Sequence, residues 1–251
     1  MDIALTDRLA ALRADLPRRA ELAYLFAEPL MHDAVVTELD GYAVIATPRG
    51  NLYTGLPTSL QVYFGNGAPG GRVRLSTAEP SCFVWRPASV DIVMDSHDIA
   101  ATEHYERYAW QPGVGLIEMT APVTYCGPSD HAELIEFYRS RDTARFDLAM
   151  LDGGVFAIYR EDGRIAGACG THFVNRADGV AMIGFLEVSP QLRGRSLGRR
   201  LMAAVTAALI NDCDTIVCDI APRNVGSQRA VAAVGFTPTC TKFVGELRVI
   251  G

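Results

Sequence analysis

Apolar positions near the start of the chain recur every three to four residues, over residues 4–14 and 19–38, and this spacing predicts two amphipathic helices. The period then drops to two. Tyr42 to Thr47 and Ser59 to Phe64 alternate as half-buried strands do. Gly65 to Gly71 follows, with the formal spacing of a dinucleotide-binding G-x-G-x-x-G. That fingerprint needs its last glycine to open a helix. Here Pro69 and Gly71 run straight into a strand-like stretch at Arg72, so a hairpin loop is predicted instead.

Gln111-Pro-Gly-Val-Gly115 reads as a linker dividing the chain into residues 1–115 and 116–251. Beyond it, Pro128-Ser129-Asp130 predicts a helix start, with Asp130 and Glu133 at capping-box spacing. Residues 155–160 and 165–174 read as strands joined by Asp162-Gly163, a two-residue turn pair. Ala177-Asp178-Gly179 turns the chain again into a strand over 180–188. Leu197, Leu201, Val205 and Leu209 then predict a helix from near Ser196 to about Ile210. A short β-branched strand is predicted over 215–220, a helix over about 226–234 ended by Gly235, and strand-like segments to Ile250. The order α, β-hairpin, β, α, β, α, β predicts an α/β fold with a mixed sheet flanked by helices.

Composition changes this picture little. Hydrophobic residues make up 49% and charged residues 21% of the 251 residues, ordinary values for a globular chain. No apolar run approaches the roughly 20 residues that span a bilayer, so no membrane partner is expected. The N-terminal stretch carries acids within its apolar pattern, unlike a secretory signal, and points to the cytoplasm. The cysteines at 82, 126, 169, 213, 218 and 240 form no C-x-x-C pair and have no histidine at ligand spacing. Reduced, packed thiols and no metal site are expected. A net charge of −6 argues against a general nucleic-acid binder.

One basic stretch departs from that acidic background. Residues 188–201 read V-S-P-Q-L-R-G-R-S-L-G-R-R-L, which gathers Arg193, Arg195, Arg199 and Arg200 around Gly194 and Gly198. The stretch joins a predicted strand end to a predicted helix start, where unpaired amides and the helix dipole favour an anion. Gly194 and Ser196 keep bulky side chains away, and Arg193, Arg195 and Arg199 add charge-assisted contacts suited to phosphate. The absence of G-x-x-x-x-G-K-[ST] excludes a nucleoside-triphosphate loop.

These residues resemble the GNAT superfamily of acyl-CoA-dependent N-acyltransferases. The family signature [QR]-x-x-G-x-[GA] is matched by Gln191-Leu192-Arg193-Gly194-Arg195-Ser196, with serine at the last position. The longer form L-x-V-x-P-x-x-R-G-x-G-L-G is met at Leu186, Val188, Pro190, Arg193, Gly194, Leu197 and Gly198. The second family motif, N-x-x-[AS] followed by a helix and G-F, appears at Asn224, Ser227, Gly235 and Phe236. The resemblance covers roughly residues 120–245 and implies a GNAT-like catalytic C-terminal half. The first half resembles a degenerate GNAT-like α/β half in a tandem arrangement.

The resemblance implies acetyl-CoA or another acyl-CoA as co-substrate and a small-molecule amine as acceptor. The pantetheine arm would enter between the strands ending at Val188 and Ile220 and pair with the backbone of Leu186 to Val188. Amides from Leu192 to Gly198 would hold the pyrophosphate, and Asn224 would touch the pantetheine. Many family members protonate the leaving thiolate with a tyrosine seven residues after the motif asparagine, a position held here by Val231. Acyl transfer also needs a proton acceptor for the amine. Candidates are Asp219, five residues before Asn224, His172, with its suitable intrinsic range, and Glu187, which points opposite to Leu186 and Val188. Two further readings share the motifs. One is a GNAT-fold transferase using aminoacyl-tRNA as donor, motivated by Val231 and by the extra arginines Arg223 and Arg229; the other is a non-catalytic acyl-CoA-binding module. The acceptor, the acyl group and the oligomeric state stay open.

Overall fold

The computed structural model describes residues 35–39, 42–46, 59–65, 72–73, 81–85, 93–94, 97–112, 122–141, 146 and 148–249. They fall into two compact units, one reaching Glu106 and resuming at Cys240, the other spanning Arg107 to Thr239. The boundary falls at 106/107, ahead of the linker read at 111–115.

The first unit contains β1 (Val35–Leu39), β2 (Tyr42–Ala46), β3 (Ser59–Gly65), β4 (Arg72–Val73), β5 (Ser81–Trp85), β6 (Val93–Met94) and part of β7 (His97–Trp110). β2 lies antiparallel between β1 and β3, and β3 pairs in parallel with β5. Two expectations are corrected here. The helical pattern over 19–38 overruns, because residues 35–38 pair with β2; its earlier part and the 4–14 helix lie outside the described residues. The segment after Gly71 does not fold back on β3 as a hairpin, since β4 pairs in parallel with β6. β-branched Val35, Val36 and Thr37 suit a strand, and a helical apolar period over so short a run cannot exclude one.

The second unit holds β8 (Val123–Tyr125), α1 (His131–Arg139), β9 (Phe156–Glu161), β10 (Arg164–Asn175), β11 (Val180–Val188), α2 (Leu197–Leu209), β12 (Thr215–Ile220), α3 (Val225–Ala232) and the start of β13 (Phe236–Val249). Its strands run in the order β13-β7-β12-β11-β10-β9-β8. β8 to β11 are antiparallel neighbours, and β11 and β12 are parallel, as a crossover through α2 requires. Asp162 and Gly163 both have positive φ, 50° and 79°, so they form the tight turn that sets the β9–β10 register. The three-residue β8 was not foreseen.

The predicted capping box does not form. A 3₁₀ turn over Pro128–Asp130 precedes α1, and the Asp130 carboxylate reaches back to the Gly127 amide at 2.8 Å. Glu133 accepts instead from the Ile165 amide and from Arg160, which also meets Asp130 at 2.8 Å. The two acids therefore tie α1 to the β9–β10 hairpin.

Two apolar clusters lie on opposite faces of the sheet. Alternation along β9 sends Ala157 to one cluster and Phe156 and Ile158 to the other. The first contains Leu197, Leu201, Val205 and Leu209 of α2, with Ile216, Cys218 and Ile220 of β12. The second joins Leu134, Phe137 and Tyr138 of α1 to β9 and β10. Full burial of each such leucine is worth about 1.5–3 kcal/mol, so these stripes hold both helices on the sheet. α2 also lies close to the sheet at Gly167, where an added Cβ would come within 3.2 Å of Leu197 and Leu201.

Candidate functional site

The end of β11 and the start of α2 meet at a loop built from the motif residues. Pro190–Leu192 makes a 3₁₀ turn, with the Leu192 amide on the Ser189 carbonyl and the Arg193 amide on Pro190. Those two amides, the first of the series expected to hold the pyrophosphate, are engaged within the turn. Among the described residues, no partner is recorded for the amides of Gly194 to Arg199; the next, Arg200, bonds Ser196 at 3.2 Å. Gly194 and Ser196 both have positive φ, 77° and 60°, a left-handed backbone at alternate positions of the loop. No atom lies within 4 Å of where a Gly194 Cβ would stand. Arg193, Arg195 and Ser196 are exposed, as are Gln191 and Gly194 itself. Arg193 does not extend freely, because its Nε donates to the Val188 carbonyl at 3.1 Å. Gly198 packs on Leu186 and close to Ala230, which brings the start of α2 between β11 and α3.

β11 and β12 part beside this loop. Their last paired residues are Met182 and Val217, yet β11 continues to Val188 and β12 to Ile220. On its other side β11 carries a bulge, since Gly184 pairs Gly170 and Glu187 pairs Ala168, leaving Phe185 and Leu186 opposite Cys169. Phe185 has φ 54°, a left-handed conformation that costs an aromatic residue on the order of 1–2 kcal/mol.

The three candidate proton acceptors share the sheet face away from α2, but their surroundings differ. Asp219 lies between Cys218 and Ile220, which join the α2 cluster, so its carboxylate points the other way. There both oxygens take charge-assisted bonds from Arg107, Nε to Oδ1 and Nη2 to Oδ2, each 2.7 Å. Arg107 is fully buried and lies 112 residues away on β7, so no local signal could announce it. His172 leans across Gly184, whose absent Cβ would stand 2.1 Å from Nε2, and its ring centroid is 4.2 Å from that of Phe185. Glu187 is partly buried, and that burial pushes its carboxyl above the ordinary 4.5 against the pull of Arg193 and Arg141. Arg141, also unforeseen, donates to the Ser189 hydroxyl at 2.8 Å and stacks 3.7 Å over the Phe137 ring.

The second motif has a local structural use. The Asn224 side chain accepts from the Ser227 amide at 3.1 Å, capping α3. Val231 is buried in the α2-side core, with no titratable group to offer. Among the described residues, no cluster of three or more His, Cys, Asp or Glu could hold a metal ion, and no helix is long and apolar enough to cross a membrane.

Comparison with known proteins gives this arrangement its class. Residues 122–236 match the model of the Acetyltransferase (GNAT) family. A GNAT-family protein from Novosphingobium aromaticivorans is 14% identical, with a TM-score of 0.64 over 92% of this chain and 96% of that one. A GCN5-related N-acetyltransferase from Kribbella flavida is 16% identical, with a TM-score of 0.53 over 92% and 95%. At such identities these structures establish the fold. No curated protein matches the chain. The mixed sheet flanked by helices is thus a GNAT fold, and residues 122–236 form a domain that matches the GNAT acetyltransferase family. An acyltransferase class follows at the level of the family.

Proposed function

We propose that this chain transfers an acyl group, acetyl in the simplest case, from acyl-CoA to the amine of a small molecule by direct attack in a ternary complex. One observation carries the reading: open amides at 194–199 stand at the start of α2, beside the parting of β11 and β12. A pyrophosphate suits the amides and the nearby guanidiniums of Arg195 and Arg199. A pantetheine arm suits the parted strands, because the edge of β11 from Leu186 to Val188 can pair with its amides as a further strand would. Asn224, which caps α3 just after β12, is the residue that would touch the pantetheine. The first 115 residues, as a degenerate GNAT-like half, belong to the same proposal.

In this reaction the amine nitrogen bonds the thioester carbon and the carbon–sulfur bond breaks. The amine loses one proton, and the thiolate needs one. Glu187 is the proton acceptor that the surroundings favour, because Asp219 is committed to Arg107 and burial makes Glu187 a stronger base than an ordinary glutamate. A base works only when ionised, so the rate is expected to fall with acid at a pH above the ordinary glutamate value. Glu187→Gln should lower kcat about 100-fold and remove that acid limb. A limb that survives in Glu187→Gln assigns the proton to His172 instead.

Val231 has no part in returning a proton to the thiolate. Val231→Ala should leave the pH-rate profile in place while costing on the order of 1 kcal/mol of packing. An altered alkaline limb would contradict this alignment of the second motif. The function itself is tested by incubating the protein with acetyl-CoA and a panel of amines and reading product masses. An amine gaining one acetyl group with release of free thiol supports it, and binding without any turnover leaves only a carrier of acyl-CoA.

A further inference from the structure

Arg141, just past the end of α1, is a guanidinium held in place by neutral groups. Its Nη1 donates to the Phe137 carbonyl and to the Ser140 hydroxyl, each at 2.9 Å. Nη2 donates to the Ser189 hydroxyl at 2.8 Å, and the central carbon lies 3.7 Å over the Phe137 ring. Among the described residues Arg141 forms no ion pair, whereas Arg107, Arg160 and Arg176 each meet an aspartate. These bonds use three of its five N–H donors and leave two for an incoming acceptor. A fixed, half-buried cation is costly unless something negative meets it. Its place beside Ser189 ties it to Glu187. Ser189 follows Glu187 by two residues in extended backbone, so the two side chains share one face. That face is the α1 side, since Phe137, which Arg141 covers, belongs to the α1 cluster. Arg141 and Arg193 are also the two cations whose pull on the Glu187 carboxyl opposes its burial.

We propose that Arg141 receives a carboxylate of the acceptor, so that the amine giving its proton to Glu187 belongs to an amino acid. The proposal rests on the acyl-CoA reading above and names the acceptor class which that reading leaves open. A guanidinium fork matches a carboxylate in plane and charge. One already held by neutral partners loses little freedom on binding it. Two residues of extended chain advance about 6.6 Å, a spacing that suits an amine and an anion joined by one to a few carbons. Under the same reading the donor's phosphates meet the amides at 194–199, which leaves Arg141 to the acceptor.

Matched pairs test this with acetyl-CoA: amino acids, and the amines left when each loses only its carboxylate. The wild-type chain should show a kcat/KM about 30-fold higher for the acid member of a pair, the worth of a charge-assisted contact at a half-exposed site. Arg141→Gln should bring that ratio to within about threefold, with CoA affinity by calorimetry unchanged within about twofold. An equal loss for both members in Arg141→Gln marks a structural tie to Ser189 and overturns the proposal. CoA affinity lower by tenfold or more in the variant assigns Arg141 to the donor's phosphates and also overturns it. The wild-type comparison needs no variant to fold. Wild-type protein that binds no acetyl-CoA, or acylates no amine of either kind, overturns the acyl-CoA reading itself. Wild-type turnover that is equal within a pair, or faster for the bare amine, overturns the carboxylate proposal alone.

Discussion

Gly194→Glu is expected to weaken acetyl-CoA binding by about 100-fold, or about 2.8 kcal/mol. Space does not forbid the side chain, since no atom lies within 4 Å of the Cβ position. Two other effects oppose it. Position 194 has φ 77°, so any side chain there is strained, and under the acyl-CoA reading the new carboxylate would stand where the amides of 194–199 meet the pyrophosphate. Gly194→Ala separates the two, because it brings the strain without the charge. A loss of no more than about tenfold is expected for alanine. Isothermal titration of both variants decides the matter. Unchanged affinity in Gly194→Glu would place the phosphates elsewhere.

The largest expected effect on stability comes from Arg107→Met. Its guanidinium is completely buried, and the Asp219 side chain is only 16% exposed, so the variant leaves a carboxylate mostly out of water without its partner. Losing one member of a buried pair costs about 3–5 kcal/mol. At about 2–4 °C per kcal/mol for a chain of this size, the melting temperature should drop by about 6–20 °C. Arg107→Met with Asp219→Val should recover at least half of the loss, because the uncompensated charge is gone. The double variant also bears on catalysis. If Asp219 were the proton acceptor, recovered stability would come with kcat reduced by about 100-fold or more; as the structural partner of Arg107 it should leave kcat within about tenfold.

The particular residues show where local reading succeeds and where it stops. β11 and β12 occur over 180–188 and 215–220 as predicted, because each is a β-branched, apolar run bounded by turns or loops. Asp162-Gly163 was readable for a similar reason: a turn needing two positive φ angles leaves few residue choices. The loop at 191–199 lies between a strand and a helix as predicted, because the apolar runs on either side have clear periods; its phosphate role belongs to the proposal. Partners distant in the chain were not visible. Asp219 gives no sign of Arg107, nor Ser189 of Arg141, and Tyr138 looks like any apolar-face aromatic until Phe185 is found turned toward it. The capping box failed for a related reason. Asp130 and Glu133 have the right spacing, but Arg160 and the Ile165 amide, brought in by the hairpin, compete for the same oxygens. The hairpin expected after Gly65 was misread because turn residues mark a change of direction without naming the strand that follows as a partner.

The identity of the acyl donor is the central claim, and turnover measured against salt and ribonuclease tests it most directly. Few phosphates distinguish acetyl-CoA, whereas a charged tRNA would meet many through Arg193, Arg195, Arg199, Arg200, Arg223 and Arg229. Each phosphate neutralised on a single strand adds about −0.7 to the slope of log affinity against log salt, and on a duplex about −0.9. With acetyl-CoA and an accepting amine, the account predicts acylated product of the expected mass, undiminished by ribonuclease and only modestly weakened between low and physiological salt. Product that forms only from intact aminoacyl-tRNA, and falls steeply over the same salt range, would contradict it.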